Sequence, residues 1–259
     1  MNWSQKRKTK ISTIVMSVII FILGVFVYNT FIKHTPTCSD IIKNQNERGT
    51  DCGGVCTRMC SFDVKPLLVT WQRPIHISGN VYSVVAYIEN QNKTGGIQKL
   101  DYEIRVYDEK NILASDPVTG STFISPNQKT AIIETPIVVG NRKPKTAFIT
   151  FIQPMMWETV QNTWDETFIT SSQETITDKD TLPKLSAVLS NNHPTHDFIN
   201  IPVVALVYDV SGNLITASQT TVDILPHQGN TMVDFSWQQA FERPVGLVEI
   251  IPRVNPFLK

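Results

Sequence analysis

The sequence predicts an all-β protein in which two tandem antiparallel β-sandwich domains follow one N-terminal transmembrane helix. Three observations predict it: an uncharged apolar run near the N-terminus, a self-similarity at a fixed offset of 101 residues, and apolar/polar alternation with a period of two. The 259 residues are 41% hydrophobic and 18% charged, which excludes a disordered chain.

Residues 1–10 form a basic tail with Lys6, Arg7, Lys8 and Lys10. Residues 11–32 carry no charge and, at ~1.5 Å per residue, are long enough for a ~30 Å hydrocarbon core. Positive flanks stay in the cytoplasm, so the N-terminus is expected inside and the rest of the chain outside, in the cell membrane as a single-pass protein. A cleaved signal peptide would need small residues at its end, whereas this run ends Tyr28-Asn29-Thr30-Phe31-Ile32. The residues after the span hold 19 basic and 23 acidic side chains, a net of −4. A mildly acidic ectodomain argues against a nucleic-acid partner, which needs a basic face.

Residues 33–63 contain all four cysteines, Cys38, Cys52, Cys56 and Cys60. An even number beyond a membrane anchor implies two disulfides, with three pairings open. Asp40, Asn44, Glu47 and Asp51 are hard oxygen donors close together and are the candidates for a Ca²⁺ site, set against a solvated loop pinned by disulfides. A four-Cys zinc site needs reduced thiolates, and a papain-like nucleophile at Cys52 lacks its sequence context.

The repeat pairs Ala86 with Ala187, Asn90 with Asn191, Val106 with Val207, Tyr107 with Tyr208, Asp108 with Asp209 and Leu113 with Leu214. After a one-residue slip, Ile124-Ser125-Pro126 pairs with Ile224-Leu225-Pro226. A period this long indicates duplicated domains rather than a solenoid. Strict alternation in Tyr102-Glu103-Ile104-Arg105-Val106 gives a strand with one buried face, and Asp209-Val210-Ser211-Gly212-Asn213 reads as a hairpin turn. The sandwiches are placed at 64–151 and 165–259. Residues 152–164, with Met155, Met156, Trp157 and Trp164, are read as a packed junction.

Two resemblances accompany these patterns. Cys38, Asp40, Asn44, Glu47, Gly49, Asp51, Cys52, Gly53, Gly54 and Cys56 resemble a bacterial surface-protein motif, C-x-D-G-x-x-N-x-x-E-x-G-x-D-C-G-G-x-C-x-x-C, with Ile41 at the usual Gly and a C-x3-C ending at Cys60. The order of strand, Asn, loop, strand ending in Tyr-Asp, turn and Pro turn is similar to FxLYD-type and related Ig-like domains of bacterial envelope proteins. Those resemblances imply an extracytoplasmic binding or spacer module and supply no catalytic residue.

No nucleophile elbow, phosphate loop, zincin helix or dinucleotide fingerprint occurs in the sequence, so no catalytic residue and no cofactor are assigned. Of His34, His76, His193, His196 and His227, the group His193, His196 and Asp197, with His227 nearby, is weighed as a metal site against a solvated loop. Trp71, Trp157 and Trp237 read as core or junction residues rather than sugar platforms. The expected function is a non-catalytic interaction or structural module of the envelope, with protein partners reached through exposed strand edges. The alternatives are a receptor for a small molecule or glycan, in an aromatic cleft near Trp157 and Trp164, and a thiol redox protein built on the cysteines.

Overall fold

The computed structural model describes residues 3–29, 37–161 and 168–258. The chain divides into two compact units, Met1–Cys56 and Thr57–Lys259. Trp164 lies outside the described residues.

In the first unit, the uncharged run forms helix α1, Trp3–Val27, which starts upstream of the apolar span because Lys and Arg are good helix formers. Its Arg7–Val27 portion has a mean hydropathy of 2.4 and none of it is buried against protein. Ile20 and Phe21 are 63% and 72% exposed. Twenty-one helical residues rise ~32 Å, enough to cross a bilayer, and apolar side chains with no protein cover suit lipid as their solvent. Ser17 returns its hydroxyl to Thr13 O at 3.0 Å, so its polar group is satisfied within the helix.

The described residues of the second unit form thirteen strands. The first sandwich comprises β1 (Leu68–Ser78), β2 (Val81–Asn90), β3 (Gly95–Asp108), β4 (Val118–Ile124), β5 (Gln128–Val138), β6 (Pro144–Phe151) and β7 (Trp157–Thr159). The second comprises β8 (Ile169–Thr177), β9 (Lys184–Asn191), β10 (Phe198–Asp209), β11 (Leu214–Leu225), β12 (Asn230–Ser236) and β13 (Val245–Pro252). Sheet β1-β2-β5 faces sheet β4-β3-β6 in the first, and sheet β12-β9-β8 faces sheet β11-β10-β13 in the second, all antiparallel. The strand order is the same in both. Strand β7 adds to β3 through Gly95↔Thr159 and Ile97↔Trp157, so Trp157–Thr159, within the segment read as a junction, extend the first sandwich's sheet.

Alternation explains each interior. Tyr102, Ile104 and Val106 on β3 meet Val84, Ala86 and Ile88 on β2 in one core. Leu185, Ala187 and Leu189 on β9 meet Ile201, Val203 and Ala205 on β10 in the other. A third core lies between the sandwiches: Ile75, Val85 and Ala131 pack against Val204, Leu206 and Ile251, joined by Trp71, Tyr87 and Tyr208. The second unit is therefore a stack of four sheets. Strands β2 and β10 are the inner ones, buried on both faces, and their sequences run Val84-Val85-Ala86-Tyr87-Ile88 and Val203-Val204-Ala205-Leu206-Val207 with no polar break.

The faces that meet are unlike. The residues at offset 101 from Val204 and Leu206 are Glu103 and Arg105, which face water and pair with each other at 2.8 Å. Leu206→Ala should therefore destabilise the unit by about 2–5 kcal/mol, because it opens a cavity where two sheets meet. Arg105→Ala, at the matched place in the other sandwich, should change stability by no more than about 0.5 kcal/mol. Urea unfolding of the full-length chain in detergent measures both, and equal costs would contradict the four-layer packing.

Candidate functional site

Two places collect the polar residues singled out above: the cystine segment in the first unit, and the loops at the ends of the sandwiches in the second.

In the cystine segment Cys38 is bonded to Cys56 with Cα atoms 5.6 Å apart. Cys52 and Cys60 are also disulfide-bonded, and no cysteine is free. The structure does bring Asp40, Asn44, Glu47 and Asp51 together, and it shows what their oxygens do. Asp51 accepts from the N–H of Asp40 at 3.0 Å and of Ile41 at 2.9 Å. Glu47, 5% exposed, accepts from the N–H of Asn44 at 3.3 Å and of Asp51 at 3.1 Å. Asp40 accepts from Thr37 N, Ile42 N and the Asn44 amide. The Thr37 N–H foremost, then the Asn44 amide, hold the Asp40 carboxyl below its ordinary value. These carboxylates fold the loop around themselves by accepting backbone N–H groups, while Asn44 Oδ1 is buried with no hydrogen-bond partner. Cys38, Glu47 and Cys56 also cluster, but both sulfurs are spent in the disulfide, so the trio has no thiolate to offer a metal.

The departures from the motif now have a physical meaning. A Cβ on Gly54 would sit 2.1 Å from Asn46 O, so that position admits no side chain. Ile41, where the motif has Gly, adopts φ +63° and is 83% exposed. A β-branched residue in the left-handed region is strained. Ile41→Gly should stabilise the segment by about 1 kcal/mol and slow reduction of its disulfides by dithiothreitol about fivefold. Faster reduction would show that no strain resides there.

In the sandwiches the shared residues perform matched tasks. Asn90, 2% exposed, donates through Nδ2 to Gly95 O at 2.7 Å and Ser125 O at 2.8 Å, and accepts from Asn92 N at 3.0 Å. Asn191, 1% exposed, donates to His196 O at 2.8 Å and Leu225 O at 3.1 Å, and accepts from His193 N at 2.9 Å. Each ties the end of one strand to the backbone at the ends of two strands of the facing sheet. Asp108 accepts from the N–H of Lys110 and Ile112, both at 2.9 Å, and Asp209 accepts from Ser211 N at 2.9 Å and Asn213 N at 2.8 Å. Arg142 donates to Asp108 at 2.8 Å, and Arg243, again 101 residues later, donates to Asp209. The turns close alike: Asn111 N donates to Asp108 O, and Gly212 N to Asp209 O. Val106 and Val207 are both buried on strands ahead of these turns.

The histidine group is an end-loop device. His193 Nδ1 accepts from His196 N at 2.9 Å and its ring meets Phe168 edge-on at 4.7 Å. His227 pairs with Asp197 at 2.6 Å and donates its backbone N–H to the same oxygen at 2.8 Å. That backbone bond, then the ring, lower the Asp197 pKa. The structure thus brings His227 to Asp197, while His193 is turned toward its own backbone.

Trp71 stacks on Tyr87 between the sandwiches at 5.3 Å, and Trp157, 5% exposed, is buried with Ile97, Leu100 and Ile124. Trp237 donates to Ala217 O. One cleft between the sandwiches, of about 280 Å³, is lined by Tyr87, Gln128, Lys129, Phe198, Glu249 and Pro252, and a second, of about 230 Å³, by Arg73, His76, Leu214, Trp237 and Arg243. The first holds Glu249, which accepts from Tyr87 at 2.7 Å and Tyr208 at 3.0 Å, one hydroxyl from each sandwich. Sequence reasoning missed Glu249 and the two arginines. Arg142 and Arg243 obey the same offset and were readable from it, whereas Glu249 matches Phe148 and carries no such signal.

No family model matches the sequence, and no curated protein matches it. Among solved structures, the crystal structure of red sea bream transglutaminase matches over 74% of this chain and 31% of that chain, at 12% identity and a TM-score of 0.24. The chain spans about a third of that protein's length, and a likeness this slight bears on neither fold nor activity.

Asp108 and Asp209 predict an acid response. Both pKa values lie below the ordinary 3.8, held down first by the N–H of Ile112 and of Asn213 respectively, with Arg142 and Arg243 assisting. A carboxylate depressed on folding stabilises the fold above its unfolded pKa and loses that contribution as pH falls through the folded value. Urea midpoints of the full chain in detergent should fall once the pH drops below about 4. The Asp108→Asn/Asp209→Asn variant should start lower and decline less steeply. Parallel acid limbs would show that these aspartates do not supply the dependence.

Proposed function

We propose that the chain is a non-catalytic interaction or structural module of the cell envelope, anchored by its N-terminal helix and held outside the cytoplasm. The observation that carries this reading is the use of the residues the sandwiches have in common. Asn90 and Asn191, and Asp108 and Asp209, spend their side chains on backbone groups, so what recurs at the 101-residue offset is scaffold. A duplicated domain whose shared polar residues are structural fits display or spacing of a surface. Disulfides at all four cysteines fit an oxidising compartment, and the basic residues ahead of α1 fit a cytoplasmic N-terminus. A thiol redox role needs an available thiolate, whereas the cysteines here are bonded. A second reading, a receptor for a small molecule or glycan, is favoured by the cleft at Tyr87, Phe198 and Glu249.

Protease added to intact spheroplasts should digest residues 37–258, and alkylation of the denatured chain should add label only after reduction, at four sites. Photo-cross-linking from surface positions should capture envelope proteins. Full protease protection would sink the topology, and absence of any cross-linked partner would sink the interaction reading.

A further inference from the structure

Edge strands leave one row of N–H and C=O groups unpaired, and proteins blunt them with proline, charge, bulges or cover. The sandwich edges are treated in this way with one exception. Strand β1 contains Pro74 and two register shifts, and β5 contains Pro136. Strand β4 is covered by Arg253, itself 6% exposed, which donates to Thr122 Oγ1 at 2.6 Å and Phe123 O at 3.1 Å. On β6, Ile149 N donates to Gln72 Oε1 at 2.7 Å. Strand β8 is broken between Ser172 and Thr175, β12 has seven residues, and β13 carries Gly246 and Pro252.

Strand β11 has twelve residues and no Lys, Arg, Pro or Gly. Its pairing with β10 keeps one register from Phe198↔Leu225 to Val207↔Thr216, with Asn200, at φ +49°, and Asp223 left out of the ladder. Its two ends are capped, Arg243 donating to Leu214 O, Trp237 to Ala217 O and Asn191 to Leu225 O. The direction of the rest follows from Thr221, which lies opposite Pro202. Proline has no N–H to give, so this is a non-hydrogen-bonded pair and the main-chain groups of Thr221 point away from β10. The same parity holds for Gln219 and Asp223, as it does for Ala217 O and Leu225 O, which side chains reach from outside. Among the described residues, the backbone of Gln219–Ile224 makes no hydrogen bond apart from the β10 pairing.

Beside this edge runs an open groove of about 390 Å³ between Thr220–Ile224 and Thr231–Asp234. Ile224 and Met232 stand 52% and 66% exposed along it. Asp223 and Asp234 supply its charge, and no basic residue lines it. We propose that the Gln219–Asp223 edge of β11 is a strand-addition site for an extended segment of a partner protein that alternates apolar and basic residues. The partner's main chain bonds to the outward groups of Gln219, Thr221 and Asp223. Its apolar side chains meet Ile224 and Met232, and its cations meet the two aspartates. This site deepens the interaction-module reading and rests on it.

The test uses the full-length chain in detergent and a short fluorescent peptide alternating lysine with valine, with its glutamate–valine counterpart as control. Anisotropy should report saturable binding of the lysine peptide and none of the glutamate peptide. Thr221→Pro removes one outward N–H without touching the β10 ladder, and should weaken binding at least tenfold with the urea midpoint retained. Asp223→Lys, which leaves every backbone group in place, should weaken it as well. Absence of binding to the unmodified chain, or equal binding by Thr221→Pro, would overturn the site. So would a concentration-dependent dimer abolished by Thr221→Pro, which would make a second copy the occupant. If Thr221→Pro also keeps every envelope partner seen by cross-linking, strand addition here fails while the interaction reading stands.

Discussion

The burial of sheet β1-β2-β5 against sheet β11-β10-β13 is the contact on which the rest of the second unit depends. It joins two sandwiches that would otherwise be separate domains on a linker, and it uses shape and apolar area before any polar specificity. Val85, Ala131, Val204 and Leu206 lose all or nearly all contact with water there. Glu249 then sets the alignment, because among the described residues it takes a hydroxyl from each side. A half-buried acceptor with two donors resists sliding, so an otherwise smooth apolar contact acquires a register.

This contact changes what each sandwich must do. The same strand position is Arg105 in one sandwich and Leu206 in the other, and Phe148 in one and Glu249 in the other. Internal residues such as Val106 and Val207, or Asn90 and Asn191, share one chemistry because their surroundings are alike. Surface residues differ because one of the two matched surfaces is an interior. Arg253 serves the same contact: past the end of β13 it leaves its own sandwich and binds β4 of the other, with its guanidinium 4.9 Å above the Phe123 ring.

Much of this was legible in the residues themselves. The apolar span, the even cysteine count, the alternating strands and the 101-residue offset all act locally or by direct comparison, so each leaves a pattern in the chain. The stacking of the sandwiches left a fainter one. Val203-Val204-Ala205-Leu206-Val207 lacks the alternation of its partner Tyr102-Glu103-Ile104-Arg105-Val106, and a strand without a polar face is covered on both sides. Read beside its repeat, that run announces the third core. The cleft and the bare edge of β11 left no pattern, because a strand becomes an edge only through the pairings made by all the others. The oxygen donors of the cystine segment show the opposite limit. Their proximity was readable, but whether they face outward to a cation or inward to amides depends on backbone dihedrals such as those of Ile41 and Gly54.

The unlike faces also settle how such a unit can grow. A face that fits a different face, rather than itself, has no two-fold symmetry to close it, and in principle the next copy can be added at either end of the stack without limit. The outer surface of the first sandwich is built like the buried surface of the second, and the outer surface of the second like the buried surface of the first. The outer faces differ from the buried ones at single side chains. Glu103 and Arg105 pair with each other where Val204 and Leu206 would seek a neighbour, and Ser186 donates to Asp234 at 2.6 Å where Val85 and Ile133 would do so. The two outer faces of the stack thus carry polar pairs where the buried faces carry apolar side chains.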